Sequence, residues 1–225
     1  MRERARGVPL QYLLGVAAFY GLTLHVGPGV LIPRPETERL VELVLQDLKH
    51  HDHPRVLDVG TGSGAVALAI KSERPDAAVM ATDRSPDALA WARDNAAALG
   101  LDIDVVRSDL LASPKVADFA ATCDVLVSNP PYLPESDRGT LPPEVTHDPD
   151  EALFAGEDGL AVARRLWREA QPRLKPGASL WLELDPRNAQ SFADEVAPGA
   201  ADVQVAVHED LAGRTRFVQI RQPTT

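Results

Sequence analysis

Val56-Leu57-Asp58-Val59-Gly60-Thr61-Gly62-Ser63-Gly64-Ala65 joins a short apolar run to a glycine-rich turn and then to the start of a second regular segment. The run at 55–59 has the length and unbroken apolar character of a strand covered on both faces. The segment after the turn, 64–72, reads as a helix. Strand, tight turn and helix in that order are part of a βαβ unit, so this stretch points to an α/β fold. The rest of the chain repeats the pattern. Further strands are expected at 78–82, 103–106, 125–128 and 179–184, with helices at 86–99 and 159–174. Ser85 followed by Pro86 is a helix start and Gly100 a stop. The alternation implies a mostly parallel sheet with helices on both faces. Two last runs, 203–207 and 216–220, flank a polar segment with Gly213 and are expected to pair antiparallel at one end of the sheet.

Upstream of the glycine-rich turn, 18–26 reads as a small β-hairpin turning near Gly21. Pro28, Pro33 and Pro35 then impose an extended course. A helix at 36–49 follows, with Leu40, Leu43, Val44 and Leu48 at helical spacing. The segment 133–152 is long and rich in Pro, Asp and Glu, and is expected to be a loop without regular structure. Such a loop in a compact domain is either a functional cover or disordered. There is no internal repeat.

The 225 residues suffice for one sizeable α/β domain. Aromatic residues make up only 5%, so aliphatic side chains must build the core. Lys and Arg total 23 against 33 Asp and Glu, a net charge of −10. That balance argues against a general electrostatic footprint on nucleic acid. It leaves room for a basic protein partner or a cationic ligand in a shielded pocket. Cys123 is the single cysteine, so no internal disulfide can form. It sits at the margin of an apolar run with no base nearby, and a structural role is expected. No apolar stretch approaches the roughly 20 residues that span a bilayer. Met1-Arg2-Glu3-Arg4 is not followed by the apolar core of a signal peptide. A cytoplasmic monomer is the expectation.

Gly60-x-Gly62-x-Gly64 lacks the two-residue spacer of the dinucleotide fingerprint, and no Lys-Ser or Lys-Thr follows as in a phosphate loop. Asp58 stands just before the turn. A carboxylate there repels phosphates and suits an ammonium group. Asp83, at the end of the next strand, is placed to accept from both ribose hydroxyls of a nucleoside, or to serve as a turn residue or helix cap. Ser108-Asp109-Leu110 follows the third strand. Asp109 could accept from an exocyclic amine there, and Leu110 could cover a ring. Three loops at the carboxyl ends of successive strands thus offer groups for one nucleoside bearing an amino acid. S-adenosylmethionine fits that description, leaving S-adenosylhomocysteine after transfer. The expected binding set is Asp58, Gly60, Thr61, Gly62, Ser63, Gly64, Asp83, Asp109 and Leu110, with Asn129 at the border to the substrate.

Asn129-Pro130-Pro131-Tyr132 follows the fourth strand. A planar amide or amino nitrogen is a poor nucleophile because its lone pair is delocalised. The Asn129 side-chain oxygen and the Pro130 carbonyl form an acceptor pair for its two N–H groups. That geometry aims the lone pair at a methyl group and favours pyramidalisation during attack. Prolines stiffen the loop and preorganise the acceptors, and Tyr132 is expected to pack on the planar group. The catalytic residues on this reading are Asn129, Pro130 and Tyr132, with Pro131 as a further substrate contact. Neither a metal nor a covalent intermediate is needed.

With these residues in place, the chain from about Arg6 onward resembles the HemK-type family, the peptide-chain release factor glutamine methyltransferases. The likeness is carried by Gly7-Val8-Pro9-Leu10-Gln11-Tyr12-Leu13-Leu14-Gly15, by Leu31-Ile32-Pro33-Arg34-Pro35-Glu36-Thr37-Glu38, by the cofactor and Asn-Pro-Pro-Tyr elements, and by the segment Ala152-Leu153-Phe154-Ala155-Gly156-Glu157-Asp158-Gly159-Leu160. Pro-Arg-Pro-Glu-Thr-Glu separates this family from other Asn-Pro-Pro-Tyr enzymes. The resemblance implies a Rossmann-like class I S-adenosylmethionine-dependent methyltransferase with a seven-stranded, mostly parallel sheet. Its implied substrate is the glutamine of the Gly-Gly-Gln loop of release factors. It also implies two parts. Residues 1–35 would be the hairpin segment, the trailing edge of a helical domain that the family usually carries, and 36–225 the methyltransferase domain. Two small departures are Asp148-Pro149 where the family has Glu-Pro, and Glu183-Leu184-Asp185-Pro186 without the Gly that commonly follows.

Arg34 and Glu36 are expected both to flank the helix start and to wall the substrate pocket. His50-His51-Asp52-His53 lies in a polar linker where adjacent histidines seldom share one metal geometry, and no metal is expected. The competing substrates are a glutamine in a ribosomal protein, or the amino group of adenine or cytosine. The latter would need base extrusion and a basic docking surface. A silent cofactor-binding module would bind without turnover.

Overall fold

A computed structural model describes residues 4–199 and 203–224; Met1 to Glu3, read above for a leader, lie outside them. A short helix α1 (Leu10–Leu14) ends on Gly15 and leads into the hairpin β1 (Val16–Phe19) and β2 (Leu22–His25), which turns at Tyr20-Gly21 as expected. Helix α2 (Pro35–Asp47) starts at a proline whose missing N–H costs nothing in the first turn, with Glu36 and Glu38 at its positive end. Then come β3 (Arg55–Val59), α3 (Ala65–Glu73), β4 (Ala78–Asp83), α4 (Pro86–Leu99), β5 (Asp104–Arg107), α5 (Pro114–Ala120) and β6 (Val125–Ser128). The remainder is α6 (Asp150–Leu153), α7 (Ala161–Ala170), β7 (Ser179–Glu183), α8 (Ala189–Gly199), β8 (Gln204–Glu209) and β9 (Thr215–Arg221).

The large sheet runs β5-β4-β3-β6-β7-β9-β8. Pairings from β5 through β7 are parallel, and β9 is antiparallel to both neighbours. The chain travels from β3 outward to β5, then returns to the other side of β3 as β6. A crevice opens between the carboxyl ends of strands where the order reverses. The glycine-rich turn after β3 and the Asn-Pro-Pro-Tyr segment after β6 therefore face each other. Their strands pair directly, with Asp58 opposite Val127 and Val59 opposite Ser128, and the Ser128 hydroxyl donates to the Val59 carbonyl at 2.6 Å.

Both faces of the sheet are covered, which explains the unbroken apolar runs. On one face Leu57, Leu126, Leu180 and Leu182 pack with Val116 of α5, Leu166 and Trp167 of α7, and Phe192 of α8. On the other, Val56, Val79, Val127 and Phe217 pack with Leu40 and Val44 of α2, Leu68 of α3, and Phe19 and Leu24 of the hairpin. α3 is buried from Ala65 through Ile70, and only its last turn reaches the surface.

Three expectations change. The segment 133–152 is not structureless: it contains short 3-10 turns at Glu135–Asp137 and Val145–His147 and the start of α6. Backbone hydrogen bonds from Leu133 to Leu153 and from Ala155 to Leu133 hold it against the strip that follows. The helix expected at 159–174 is shorter, because Gly159 has φ +76° and belongs to a tight contact described below. α5 and α8 were not anticipated. Ser113-Pro114 repeats the start signal of Ser85-Pro86, and Phe192, Ala193 and Val196 lie at helical spacing, so both carried a legible signature.

Candidate active site

The crevice holds a cavity of about 330 Å³, within the size range of small-molecule sites. Its floor is the turn after β3. Gly60 and Thr61 donate their N–H groups to the Thr82 carbonyl at 2.8 and 3.0 Å, fixing the turn to the next strand. Gly62 has φ +56° and donates to Asp83 Oδ2 at 3.0 Å. Asp83 Oδ1 accepts from the Ser85 N–H at 2.9 Å. Asp83 thus has the turn role expected of it, and it also lines the cavity.

Asp58 lies beneath the turn and is 1% exposed. One oxygen, Oδ2, accepts from the Thr61 hydroxyl at 2.6 Å and from the Ala67 N–H at 3.2 Å. Burial outweighs these bonds and pushes its pKa up to about 7. A carboxylate so placed gains from a cation in the cavity it lines. At the far end Asp109 is held by Arg165 at 2.8 and 3.0 Å, and Arg165 is braced by Glu169. Leu110 adopts φ +49°, a rare conformation for a branched apolar residue. Such strain marks functional sites, and this residue too lines the cavity.

Asn129, Pro130 and Pro131 line the opposite side. The Asn129 amide Nδ2 donates to the Thr37 hydroxyl at 3.1 Å, which leaves Oδ1 free to accept. Tyr132, Glu36 and Gly64 are not brought into the lining; Gly64 caps α3 with φ +85°, and a Cβ there would fall 3.0 Å from Leu68 and 3.4 Å from Ala92. Tyr132 is half-buried against the core, and its hydroxyl lies 3.5 Å from Glu183 Oε1. Burial raises that phenol further above its ordinary range. Glu36 lies off the cavity, 3.8 Å from Arg214. The loop is fixed from behind: Asn188 Nδ2 donates to the Tyr132 carbonyl at 3.3 Å, and Gly159 packs so closely that a Cβ there would fall 2.1 Å from the same oxygen.

Two segments roof the cavity: residues 29–34, and Pro149 to Phe154. The Arg34 guanidinium pairs with Asp148, whose side chain is 1% exposed. Asp148 also accepts from the Ile32 N–H at 3.3 Å, and the Tyr12 hydroxyl, which donates to the Val30 carbonyl at 2.6 Å, lies 3.2 Å from it. Arg84 pairs with Glu151 at 3.1 Å at the other edge. Arg34 thus lines the cavity and also locks the roof together.

Thr37, Glu183, Arg165, Phe154 and Glu151 were not singled out in the sequence. Thr37 sat inside the Pro-Arg-Pro-Glu-Thr-Glu segment, and Glu183 was a carboxylate within an apolar strand, which is itself a signal. Arg165 and Glu151 carried none, since both are ordinary charges on short helices. In the linker expected not to bind metal, His51 Nδ1 lies 3.4 Å from Asp124. No described helix is long and apolar enough to cross a membrane.

This sheet order, with a glycine-rich turn and Asn-Pro-Pro-Tyr meeting at the switch point, is that of the class I methyltransferases. Residues 25–148 match the family model of the methyltransferase small domain. A release factor glutamine methyltransferase of Deinococcus radiodurans is 51% identical over 222 residues, covering 99% of this chain and 77% of that one. A solved protein-(glutamine-N5) methyltransferase, release factor-specific, from Alicyclobacillus acidocaldarius is 30% identical with TM-score 0.54, covering 88% of this chain and 99% of that one. A ribosomal protein L11 methylase from Lactobacillus delbrueckii, 20% identical with TM-score 0.60 over 89% of this chain and 85% of its own, shares the fold. The chain belongs to the release factor glutamine methyltransferase family and is a methyltransferase.

Proposed function

We propose that this enzyme transfers a methyl group from S-adenosylmethionine to the side-chain amide nitrogen of the glutamine in the Gly-Gly-Gln loop of a peptide-chain release factor. The observation that carries the reading is the Asn129 amide, held through Nδ2 on Thr37 with Oδ1 left over for the cavity. Oδ1 and the Pro130 carbonyl accept the two N–H groups of the substrate amide. Orienting both bonds turns the nitrogen lone pair out of conjugation and toward the donor carbon, so the barrier falls by positioning.

The residues present suit the cofactor. S-adenosylmethionine supplies an electrophilic methyl on a sulfonium. Asp58 would hold its cationic amino-acid end, Asp83 its ribose hydroxyls and Leu110 its base, with Asp109 bound to Arg165 nearby. Asp109 therefore shapes the base pocket chiefly through Arg165. Pro130 and Pro131 keep the acceptor loop stiff. Tyr132, through its hydroxyl near Glu183, braces that loop rather than covering the substrate. Arg34 walls the pocket from the roof, and Glu36 meets the substrate outside the cavity. We take residues 1–35 as the hairpin segment, of which 29–34 reach the roof, and 36–225 as the methyltransferase domain. A translation factor as substrate supports a cytoplasmic enzyme, and the proposal takes it to act as a monomer.

The test is label transfer from methyl-labelled S-adenosylmethionine to a purified release factor, beside the same factor with its Gly-Gly-Gln glutamine replaced by alanine. Label on the first alone is expected, and Asn129→Ala should abolish it. Equal labelling of both factors, or labelling of ribosomal protein or nucleic acid only, would refute the substrate assignment.

A further inference from the structure

Glu183 ends β7 with 0% exposure, and its Oε2 has no hydrogen-bond partner. Taking a carboxylate out of water is costly, and an apolar residue of similar volume is often the more stable choice in such a place. The groups around Glu183 come from four elements. α2 contributes Thr37 and the negative charge of Glu36. The Asn-Pro-Pro-Tyr loop contributes Tyr132, and β9 the cation Arg216, while β6 presents only uncharged Ser128 and its neighbours. Arg216 is itself held by Asp210 at 3.2 Å. Burial pushes the Glu183 pKa up to about 7 against the hydrogen bond from Thr37 and the charge of Arg216.

The Thr37 hydroxyl has one proton and can accept through its lone pairs. Thr37 stands close enough to favour the charged form of Glu183; an ionised Glu183 has no proton to offer, so a Thr37 hydroxyl turned toward it donates and can only accept from Asn129. That forces the Asn129 amide to turn Nδ2 toward Thr37, as observed at 3.1 Å, and Oδ1 toward the cavity. A flipped amide has nearly the same shape. It would set two N–H donors against a substrate nitrogen that needs acceptors.

We propose that Glu183 is a positioning residue which, through Thr37, fixes the Asn129 amide with its oxygen toward the substrate. This rests on the reading of Asn129 as acceptor for the glutamine amide. When Glu183 is protonated it can donate to Thr37, whose own proton then turns to the Asn129 oxygen and favours the flipped amide. Turnover at saturating cofactor therefore falls on the acid side of neutrality. Saturation separates this limb from any effect of Asp58, because bound cation keeps Asp58 ionised.

The experiment measures kcat against pH at saturating S-adenosylmethionine with a release factor substrate, for the wild type, Glu183→Gln, Thr37→Val, Thr37→Ser and Asn129→Ala. The glutamine side chain can donate to Thr37 and removes the constraint without changing shape. Glu183→Gln is expected to lower kcat about tenfold and to abolish its acid limb, with cofactor Kd little changed. Thr37→Ser should recover kcat relative to Thr37→Val, and Glu183→Gln should add nothing in the Thr37→Val background. An inactive Asn129→Ala beside a Glu183→Gln with wild-type kcat and an intact acid limb would overturn the relay alone. Should Glu183→Gln fail to fold, wild-type kcat in Thr37→Val would overturn it equally. Full activity in Asn129→Ala would overturn both the relay and the acceptor reading beneath it.

Discussion

Replacing Asp58 with Asn should make the protein more stable and a poorer binder of its cofactor. Both hydrogen bonds to Asp58 fall on the single oxygen Oδ2, from the Thr61 hydroxyl and the Ala67 N–H. An asparagine can place its carbonyl there, keep both bonds, and lose only the charge. Burial raises the Asp58 pKa from 3.8 to about 7. At 1.36 kcal/mol per unit, keeping it ionised in the folded cavity costs at most about 4 kcal/mol. The sign follows from linkage. Between pH 4 and 7 the folded state holds a proton that the unfolded state has released, so wild-type stability falls as pH rises through that window. Asparagine does not titrate. The variant should therefore match the wild type near pH 4 and exceed it at pH 8. For a domain of this size, about 2–4 °C per kcal/mol gives a gain of several degrees in Tm.

The same charge faces the ligand cation. Losing a hydrogen bond to a charged group is worth about 1.5–3 kcal/mol, so Kd for S-adenosylmethionine should rise about 10- to 100-fold at pH 8. Wild-type affinity should weaken toward pH 6, where Asp58 must first lose its proton, and the variant should show no such slope. Thermal melts from pH 4 to 8 and calorimetric titration would measure both. A variant less stable than wild type at pH 8, or one binding cofactor with unchanged Kd, would refute the reasoning.

Gly159→Ala sets a Cβ 2.1 Å from the Tyr132 carbonyl oxygen and 2.9 Å from its carbon, at a residue with φ +76°. Backbone cannot yield as a flexible side chain does, so about 2–4 kcal/mol of stability should be lost. Turnover should fall further than the Tm change explains, measured well below the melting temperature; an unchanged kcat would show that the Asn-Pro-Pro-Tyr loop is not held from behind. Asp148→Ala removes the partner of Arg34 and the acceptor for the Ile32 N–H. Since Arg34 is partly exposed, the cost should be about 1–3 kcal/mol. Faster hydrogen exchange should appear in residues 29–34 and 149–154 together, and exchange confined to one of them would show that the pair does not lock the roof.

Much of the fold was legible because local chemistry and global position agree. The bounds of β3 and β6 follow from apolar runs that the two-sided burial requires, and α4 from Ser85, Pro86 and Gly100. α8 carries its signature only in Phe192, Ala193 and Val196, a short apolar face without a serine-proline start, so it reads less plainly than α4. The site divides in the same way. Asp58, Asp83 and Asn129 were legible because each stands at the end of a strand, where a βαβ fold collects its ligand groups. Tyr132 and Glu36 were drawn into the cavity by proximity in sequence. The tyrosine points back toward Glu183, and the glutamate turns toward Arg214. A side chain's direction depends on the rotation of its element against its neighbours, which no local pattern encodes.

Two buried carboxylates, Asp58 in the cavity wall and Glu183 behind the Asn-Pro-Pro-Tyr loop, follow one physical logic. Asp58 and Glu183 are each fully buried, and burial is the largest influence on both, lifting each to about 7. Neither is a favourable choice for stability, since each is held short of full neutralisation by hydroxyl or N–H donors. Asp58 belongs to the strand that ends at the glycine-rich turn, and Glu183 to the strand beyond the Asn-Pro-Pro-Tyr loop. Each sits beside a threonine, Asp58 bound by Thr61 and Glu183 near Thr37, but on the proposed reading Asp58 meets its ligand directly and Glu183 acts only through Thr37. A carboxylate poised near neutrality is easily driven to its charged form by a cation or a hydroxyl donor. The cation at Asp58 arrives with the cofactor, while at Glu183 the donor is already part of the fold. The first site should therefore stiffen on binding, and the second stands preorganised before the substrate enters.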